Sequence, residues 1–543
     1  MPSNPSPAHV HYDTLIAGGG LSGIVTALEL LHAGQRVLLL ERGGDEALGG
    51  LAMQAFGGMC FVDSPQQRRA GIRDSQALAW ADWQRVACFD DTDVWPRAWA
   101  RHYIERCVSD VHDWLRGFGL RFIPAVQWVE RGLFRPGNSV PRYHVLWGTS
   151  RHMARTLLTA LHQHPQRANL RLATGHEVQA IEPMTGGGWR CRGLCTDADG
   201  AVFEAEGDRL VIASGGIGGD LRKVRAHWPA ELGTPPVELL NGSSPRADGQ
   251  LHDAVQRLGG QLTHLGAMWN YAAGVAYPSP HFEGHGLSLM PARSALWLEP
   301  GGRRIGPVPL VTGFDTHAMV AQIARSGWPH TWQILNRRIA RRELAASGAE
   351  YNPLIRDRRA LPFLWQTLTG RSPLADELLH TCPDFVQAPR LTELVERMNA
   401  LGGAYRIDAD LLAREITAYD AQIARGPRFH NDDQLRRIAH LRQWTGDRVR
   451  TCKFQKILDP AAGPLIAIRC RLLIRKSMGG IQTDLHSRAL DTAGVPISGL
   501  YAAGEATGFG GGGLNGKSSL EGTFLSGCIL SARNAARHIA LGR

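Results

Sequence analysis

Lysine is almost missing from this chain. Of 60 basic residues only Lys223, Lys453, Lys456, Lys476 and Lys517 are lysines, so the net charge of +10 is carried by arginine. Those arginines are spread over residues 36–543 with no basic block and no interleaved aromatics. The pattern predicts a solvated basic surface and speaks against nucleic acid as a partner. Long apolar runs are also missing, since no window approaches the roughly eighteen residues of a membrane helix. Residues 1–12 lack the charged-then-apolar order of a secretory leader. Neither a membrane span nor secretion is therefore expected. Cys-x-x-Cys pairs are absent too, and the nine cysteines are odd in number, which points to reduced thiols in a cytoplasm and excludes a disulfide framework or a zinc site. What is present is ordinary for folded protein: 43% apolar and 20% charged residues over 543 positions, enough chain for two or three domains.

The first informative motif lies near the N-terminus. Residues 13–17 read as a buried strand that runs into Gly18-Gly19-Gly20-Leu21-Ser22-Gly23. Apolar residues at Leu21, Ile24, Val25, Leu28 and Leu31 predict a helix over 21–32. Gly34 stops it, and residues 36–41 form a second buried strand ending in Glu41. Strand, Gly-x-Gly-x-x-Gly, helix, strand and acid in this order make a dinucleotide-binding unit. Gly18 permits the turn, Gly20 lets backbone approach a pyrophosphate, Gly23 lets helix and strand touch, and Glu41 is placed for ribose hydroxyls. Phosphates would rest on free N–H groups at the start of the helix, with Leu21 and Ser22 among them. Arg42 follows the acid as a further candidate contact. The turn alone serves NAD and FAD equally.

Four more segments carry a resemblance. They are residues 49–58 (GGLAMQAFGG), the strand-turn 209–216 with Ala213-Ser214-Gly215-Gly216, Ala247-Asp248-Gly249 opening a helix, and residues 499–505 presenting Gly504 and Glu505 ahead of a last helix opened by 518–527. Together they resemble the flavoprotein subunits of fumarate reductase and succinate dehydrogenase, including their 3-ketosteroid dehydrogenase relatives, along almost the whole chain. The resemblance implies FAD. It also implies flavin contacts from Gly49, Gly50, Leu51, Gln54, Gly57 and Gly58 in the second glycine loop, from Val178, Ala213, Ser214, Gly215 and Asp248, and from Gly504, Glu505, Ser519 and Leu520. Relatives attach the flavin through a histidine at the start of that loop. Leu51 stands there, so non-covalent FAD is expected.

The implied fold class is α/β, a Rossmann-type FAD-binding domain of glutathione-reductase-like architecture with an inserted α+β cap. Both ends of the chain build the FAD site, giving an FAD domain at 1–269 plus 453–543 and a substrate-binding cap at 270–452. A hairpin is predicted around Asp197-Ala198-Asp199-Gly200, amphipathic helices over 391–400 and 411–423, and a solvated arginine face at 337–342.

The implied chemistry moves a hydride between flavin N5 and one carbon of a C–C bond while a proton moves at the neighbour, which a carbonyl acidifies. Fumarate reductases clamp a dicarboxylate with cations, and here the pattern departs. Arg475 replaces the clamp histidine in Arg475-Lys476-Ser477-Met478-Gly479-Gly480, Ser519 stands at or beside the second clamp arginine, and Gly306-Pro307-Val308 occupy the place of the expected Asn-Glu. The site therefore reads as closer to the 3-ketosteroid dehydrogenase branch. Candidate catalytic residues are Lys517, Arg475, Lys476, Tyr143, His144 and Tyr271. The expected activity is FAD-dependent dehydrogenation of a hydrophobic ring ketone, with a small-molecule substrate and, since no second dinucleotide turn is visible, a separate electron acceptor or donor. Three alternatives stay open. An enone or enoate reductase would run the same bond chemistry backwards from an external donor. An FAD monooxygenase or halogenating enzyme would share only the first glycine turn, and an arginine-rich nucleic-acid-binding flavoprotein would have no reaction of its own.

Overall fold

The computed structural model describes residues 11–196, 200–513 and 521–542. Among them, two eight-stranded sheets organise the chain. In the first, Pro496–Ala502, Val202–Ile212, His11–Ala17, Val37–Leu40 and Leu170–Ala173 run parallel in that spatial order. Parallel strands are covered on both faces and so read as unbroken apolar runs. Val37–Leu40 is VLLL with every residue buried. Trp189–Cys195 extends Val202–Ile212 antiparallel. The predicted hairpin strands are thus paired, while residues 197–199 of its turn lie outside the described residues. One face of the sheet is covered by two helices from opposite ends of the chain, Leu21–His32 and Thr523–Ala540. They are tied by Arg533 to Glu29 at 3.0 Å and by their buried apolar sides.

The second sheet is antiparallel for most of its width. Its spine is the 13-residue strand Leu465–Ser477, which pairs with Met268–Ala276, Thr331–Asn336 and Phe385–Ala388. That strand belongs to the segment the sequence reading gave to the FAD domain, yet its ladder bonds are made to strands of the middle of the chain. Helices Leu391–Leu401, Ala409–Ala424 and Asp433–Leu441 pack on this sheet. Fully buried anchors such as Leu412, Ile416 and Ile438 contribute about 1.5–3 kcal/mol each. Three of the four arginines at 337–342 are paired with acids. Arg337 and Arg341, one helical turn apart, share Asp376, and Arg338 reaches Asp459 at 3.1 Å. No helix of the described residues is long and apolar enough to cross a membrane.

Candidate active site

A cleft of about 1680 Å³, its open mouth included, lies where the parallel strands end, with Ala17, Leu40 and Ala213 among its lining. Open α/β sheets place ligands beyond these carboxyl ends. The first turn is shaped by space. Gly18 has φ 117°, and a Cβ on Gly23 would lie 2.0 Å from the Gly18 carbonyl oxygen. A Cβ on Gly20 would meet nothing within 4 Å, so this residue borders open space. Gly20 also caps the helix Leu21–His32 with no side-chain bond, leaving N–H groups of Leu21 and Ser22 for an anion. Glu41 lines the cleft. Its Oε2 accepts from Gly19 N–H and its Oε1 from Gly43 N–H, both at 2.8 Å, so the acid holds the turn closed as well as facing the cleft. Arg42 spans two carboxylates, Glu177 at 3.1 Å and Asp248 at 2.9 Å.

Most of the expected flavin contacts come together here. Gly49, Gly50, Leu51, Gly57, Gly58, Val178, Ala213, Ser214, Gly215, Asp248 and Glu505 all line the cleft, and Phe524, Leu525 and Cys528 add the flank of the helix Thr523–Ala540. The cradle of glycines, the uncapped helix start and the acid at the second strand fit an adenine dinucleotide. Three expected residues stand back from it. Gly23 supports the turn. Gly504 lies beneath Ser22, whose Oγ a Cβ would approach to 2.0 Å. Gln54 faces an adjoining cavity of about 570 Å³. Lys517, Ser519 and Leu520 lie outside the described residues.

The other end of the cleft holds reactive side chains. Lys476 Nζ donates to Tyr271 Oη at 3.1 Å, and Tyr271 Oη donates to Glu521 Oε2 at 3.1 Å. Trp269 Nε1 also donates to Glu521 Oε2, at 2.5 Å. The Lys476 ammonium sits 4.1 Å from the centre of the Phe524 ring. Neighbouring strand residues normally point to opposite faces, but Arg475 and Lys476 both line this cleft. The register explains it. Trp269 pairs with Lys476 and Tyr271 with Leu473, so two residues on the long strand face one on its partner, and this bulge re-aims the cationic pair. Arg475 also donates through Nη1 to the Gly242 carbonyl.

Burial sets the charges. It pushes the Lys476 ammonium down to about 8, against the pull of Glu521. Burial, then the Glu521 carboxylate, holds the Tyr271 hydroxyl well above the ordinary tyrosine range. Tyr143 is raised for the same two reasons. Glu505 is raised by burial although it accepts from Ser477 N–H at 2.9 Å and has both cations nearby. Arg475 is lowered by burial.

The strand Tyr143–Val145 divides two of the candidates. Tyr143 reaches the cleft, with its hydroxyl over Gly58 where a Cβ would lie 1.8 Å away. His144, next along the strand, points the other way into the core. Its Nε2 meets Ser64 Oγ and its Nδ1 meets the Arg142 carbonyl, both at 2.7 Å. Burial pushes it down to about 4. It is a neutral core histidine, and period-2 alternation alone separates it from Tyr143. Glu521 escaped the sequence reading. Its only signal was an acid at the mouth of the last helix.

Comparison with known proteins agrees with this architecture. Residues 13–525 match a protein family described as FAD binding domain. A KsdD-like steroid dehydrogenase of Mycobacterium tuberculosis is 39% identical over 550 residues, covering 97% of this chain and 95% of that protein. Among solved structures, the open conformation of a flavocytochrome c3 fumarate reductase superposes with a TM-score of 0.66 at 18% identity, over 98% of this chain and 79% of the other. The 3-ketosteroid delta1-dehydrogenase from Sterolibacterium denitrificans, in complex with 1,4-androstadiene-3,17-dione, gives 0.65 at 15% identity, over 98% and 100%.

Proposed function

Because this chain belongs to the FAD-binding-domain family and is an FAD-dependent oxidoreductase, we propose that it dehydrogenates the CH–CH bond beside the carbonyl of a hydrophobic ring ketone such as a 3-ketosteroid. The observation that carries the reading is Tyr271, held between an ammonium and a carboxylate in a cleft that Tyr143, Phe524 and Leu525 also line, in a chain 39% identical to a KsdD-like steroid dehydrogenase. The glycine-turn sheet is the FAD-binding unit, and the second sheet with its helices is the substrate-binding cap, the strand Leu465–Ser477 carrying its cations to the boundary. FAD is held there without a covalent bond, since Leu51 offers no nucleophile.

The glycine cradle, with Gly18, Gly20, Gly49 and Gly50, would hold the FAD, and the chemistry it would supply is hydride acceptance from the substrate β-carbon. The protein's share is the proton on the α-carbon. Tyr271 is protonated at neutral pH and donates to Glu521. Its Oη receives the substrate proton as its own passes to Glu521 Oε2, and the Lys476 ammonium, donating to the same oxygen, limits the negative charge that develops there. Tyr143 and Arg475 face the same space as donors to the ketone oxygen. The enone leaves, and a separate electron acceptor would be needed to complete the cycle.

Anaerobic mixing of the oxidised holoenzyme with a saturated 3-ketosteroid tests the reading. Flavin bleaching with stoichiometric enone is expected. If no ketone bleaches the flavin while fumarate-like acids rapidly reoxidise the reduced enzyme, the reading is wrong.

A further inference from the structure

The helix Ala360–Thr369 is amphipathic in the wrong sense for a globular protein. Leu361, Leu364, Trp365 and Leu368 recur at i, i+3, i+4 and i+7, the spacing of one helical face. That face is turned to solvent, with the four residues 81%, 54%, 56% and 61% exposed. No residue of the helix is buried. The half-buried side is held by Pro362, Phe363, Gln366 and Thr367, with the Phe363 ring 5.8 Å from Trp147. The other exposed large apolar residues among those described, Val237 and Phe134 for example, stand singly along the chain.

Basic residues flank this stripe in the sequence. Residues 353–373 contain four arginines, Arg356, Arg358, Arg359 and Arg371, against one acid, Asp357. An apolar Leu/Trp face bordered by cations is the pattern of a helix that lies in a bilayer interface, apolar side inward and arginines among anionic headgroups. We propose that this helix docks the protein on an anionic lipid surface.

Two observations favour lipid over a second copy of the chain. The four side chains expose on the order of 500 Å², the size of the largest, often functional, patch on a monomer and short of the about 800 Å² per partner of a stable protein interface. A two-fold contact through the stripe would also set the same arginines of both copies against one another, whereas anionic headgroups neutralise them. The helix base is fixed to the wall of the site. Arg358 meets His152 at 3.3 Å beside Arg151, and Ala349 N–H donates to the Gln54 carbonyl at 2.8 Å. Arg151, Gln54 and Glu350 line the smaller cavity, which shares Arg475 and Ser347 with the main cleft. Docking would thus bring that cavity near the lipid. The docking itself does not depend on the reaction proposed above.

The test is flotation of the holoenzyme with phosphatidylglycerol-containing vesicles and with vesicles of phosphatidylcholine alone. The wild type is expected to float with the anionic vesicles and to be released by salt. Leu364→Glu/Trp365→Glu should cut the bound fraction about tenfold or more, and Arg359→Glu/Arg371→Glu should abolish the preference for anionic lipid. Val237→Glu should float like the wild type. Flavin absorbance, melting temperature and turnover of a dissolved substrate should be unchanged in all of them. A wild type that stays at the bottom of the gradient with both vesicles overturns the proposal. So does flotation that survives the double glutamate substitution, and so does a wild-type dimer, seen by size exclusion, that the substitution splits.

Discussion

Removing one oxygen atom from Tyr271 is the sharpest probe of the proposed proton path. Tyr271→Phe keeps the ring and deletes the hydroxyl that accepts from Lys476 and donates to Glu521, each at 3.1 Å. Lys476 and Glu521 would then lose their shared oxygen, but both line the open cleft, where water can replace it. The cost in stability is therefore about 1 kcal/mol or less. The cost in rate is larger. A positioned acid or base contributes about 10²–10⁴-fold, which corresponds to roughly 3–5 kcal/mol at the transition state. The assay is single-turnover bleaching of the flavin by a saturated 3-ketosteroid under anaerobic conditions, on holoenzyme with matched flavin content. The expected result is a bleaching rate at least about a hundredfold lower, with a melting temperature close to the wild type. A phenylalanine variant that bleaches within a few-fold of the wild type would refute the relay through Tyr271.

Three further outcomes follow from the same geometry. Turnover should fall as pH rises through about 8, because burial lowers Lys476 to that value and the ammonium is the donating form; Lys476→Arg should remove this alkaline limb from the pH profile while reducing kcat. Gly23→Ala should purify without flavin, since its methyl would collide with the Gly18 carbonyl, whereas Gly186→Ala, where a Cβ meets nothing within 4 Å, should keep the wild-type flavin absorbance ratio. Arg142→Leu should lower stability by about 3–5 kcal/mol in denaturant titration, because it takes the ion-pair partner from the buried carboxylate Asp74 and one of two partners from Asp82, which keeps Arg85.

The parts of this molecule that were legible in the sequence are those specified by neighbours. The turn 18–23 needs glycine for reasons of local space, and VLLL over Val37–Leu40 announces a strand covered on both sides. The helices Leu391–Leu401 and Ala409–Ala424 fall within a residue or two of the stretches their periodicity picks out. The reaction end was less legible because it is built from distant residues. Glu521 meets Tyr271 across 250 positions, and no spacing rule connects them. The pairing of Arg475 with Lys476 on one surface depends on a bulge in register, which is decided by two strands together and is invisible in either. His144 is different. Its exclusion from the cleft was readable, since a strand that turns Tyr143 inward must turn its neighbour away.

The meeting of helices Leu21–His32 and Thr523–Ala540 has a consequence for how the protein is made. The second helix supplies Phe524, Leu525 and Cys528 to the cleft. It enters the growing chain about 500 residues after the first glycine turn, a delay on the order of 25–100 s at ordinary rates of synthesis. During that time the nascent sheet carries an uncovered apolar face, and the pocket has no far wall. Flavin capture must then be a late, post-translational event that closes folding, and cells short of riboflavin would accumulate complete but open chains exposed to proteases.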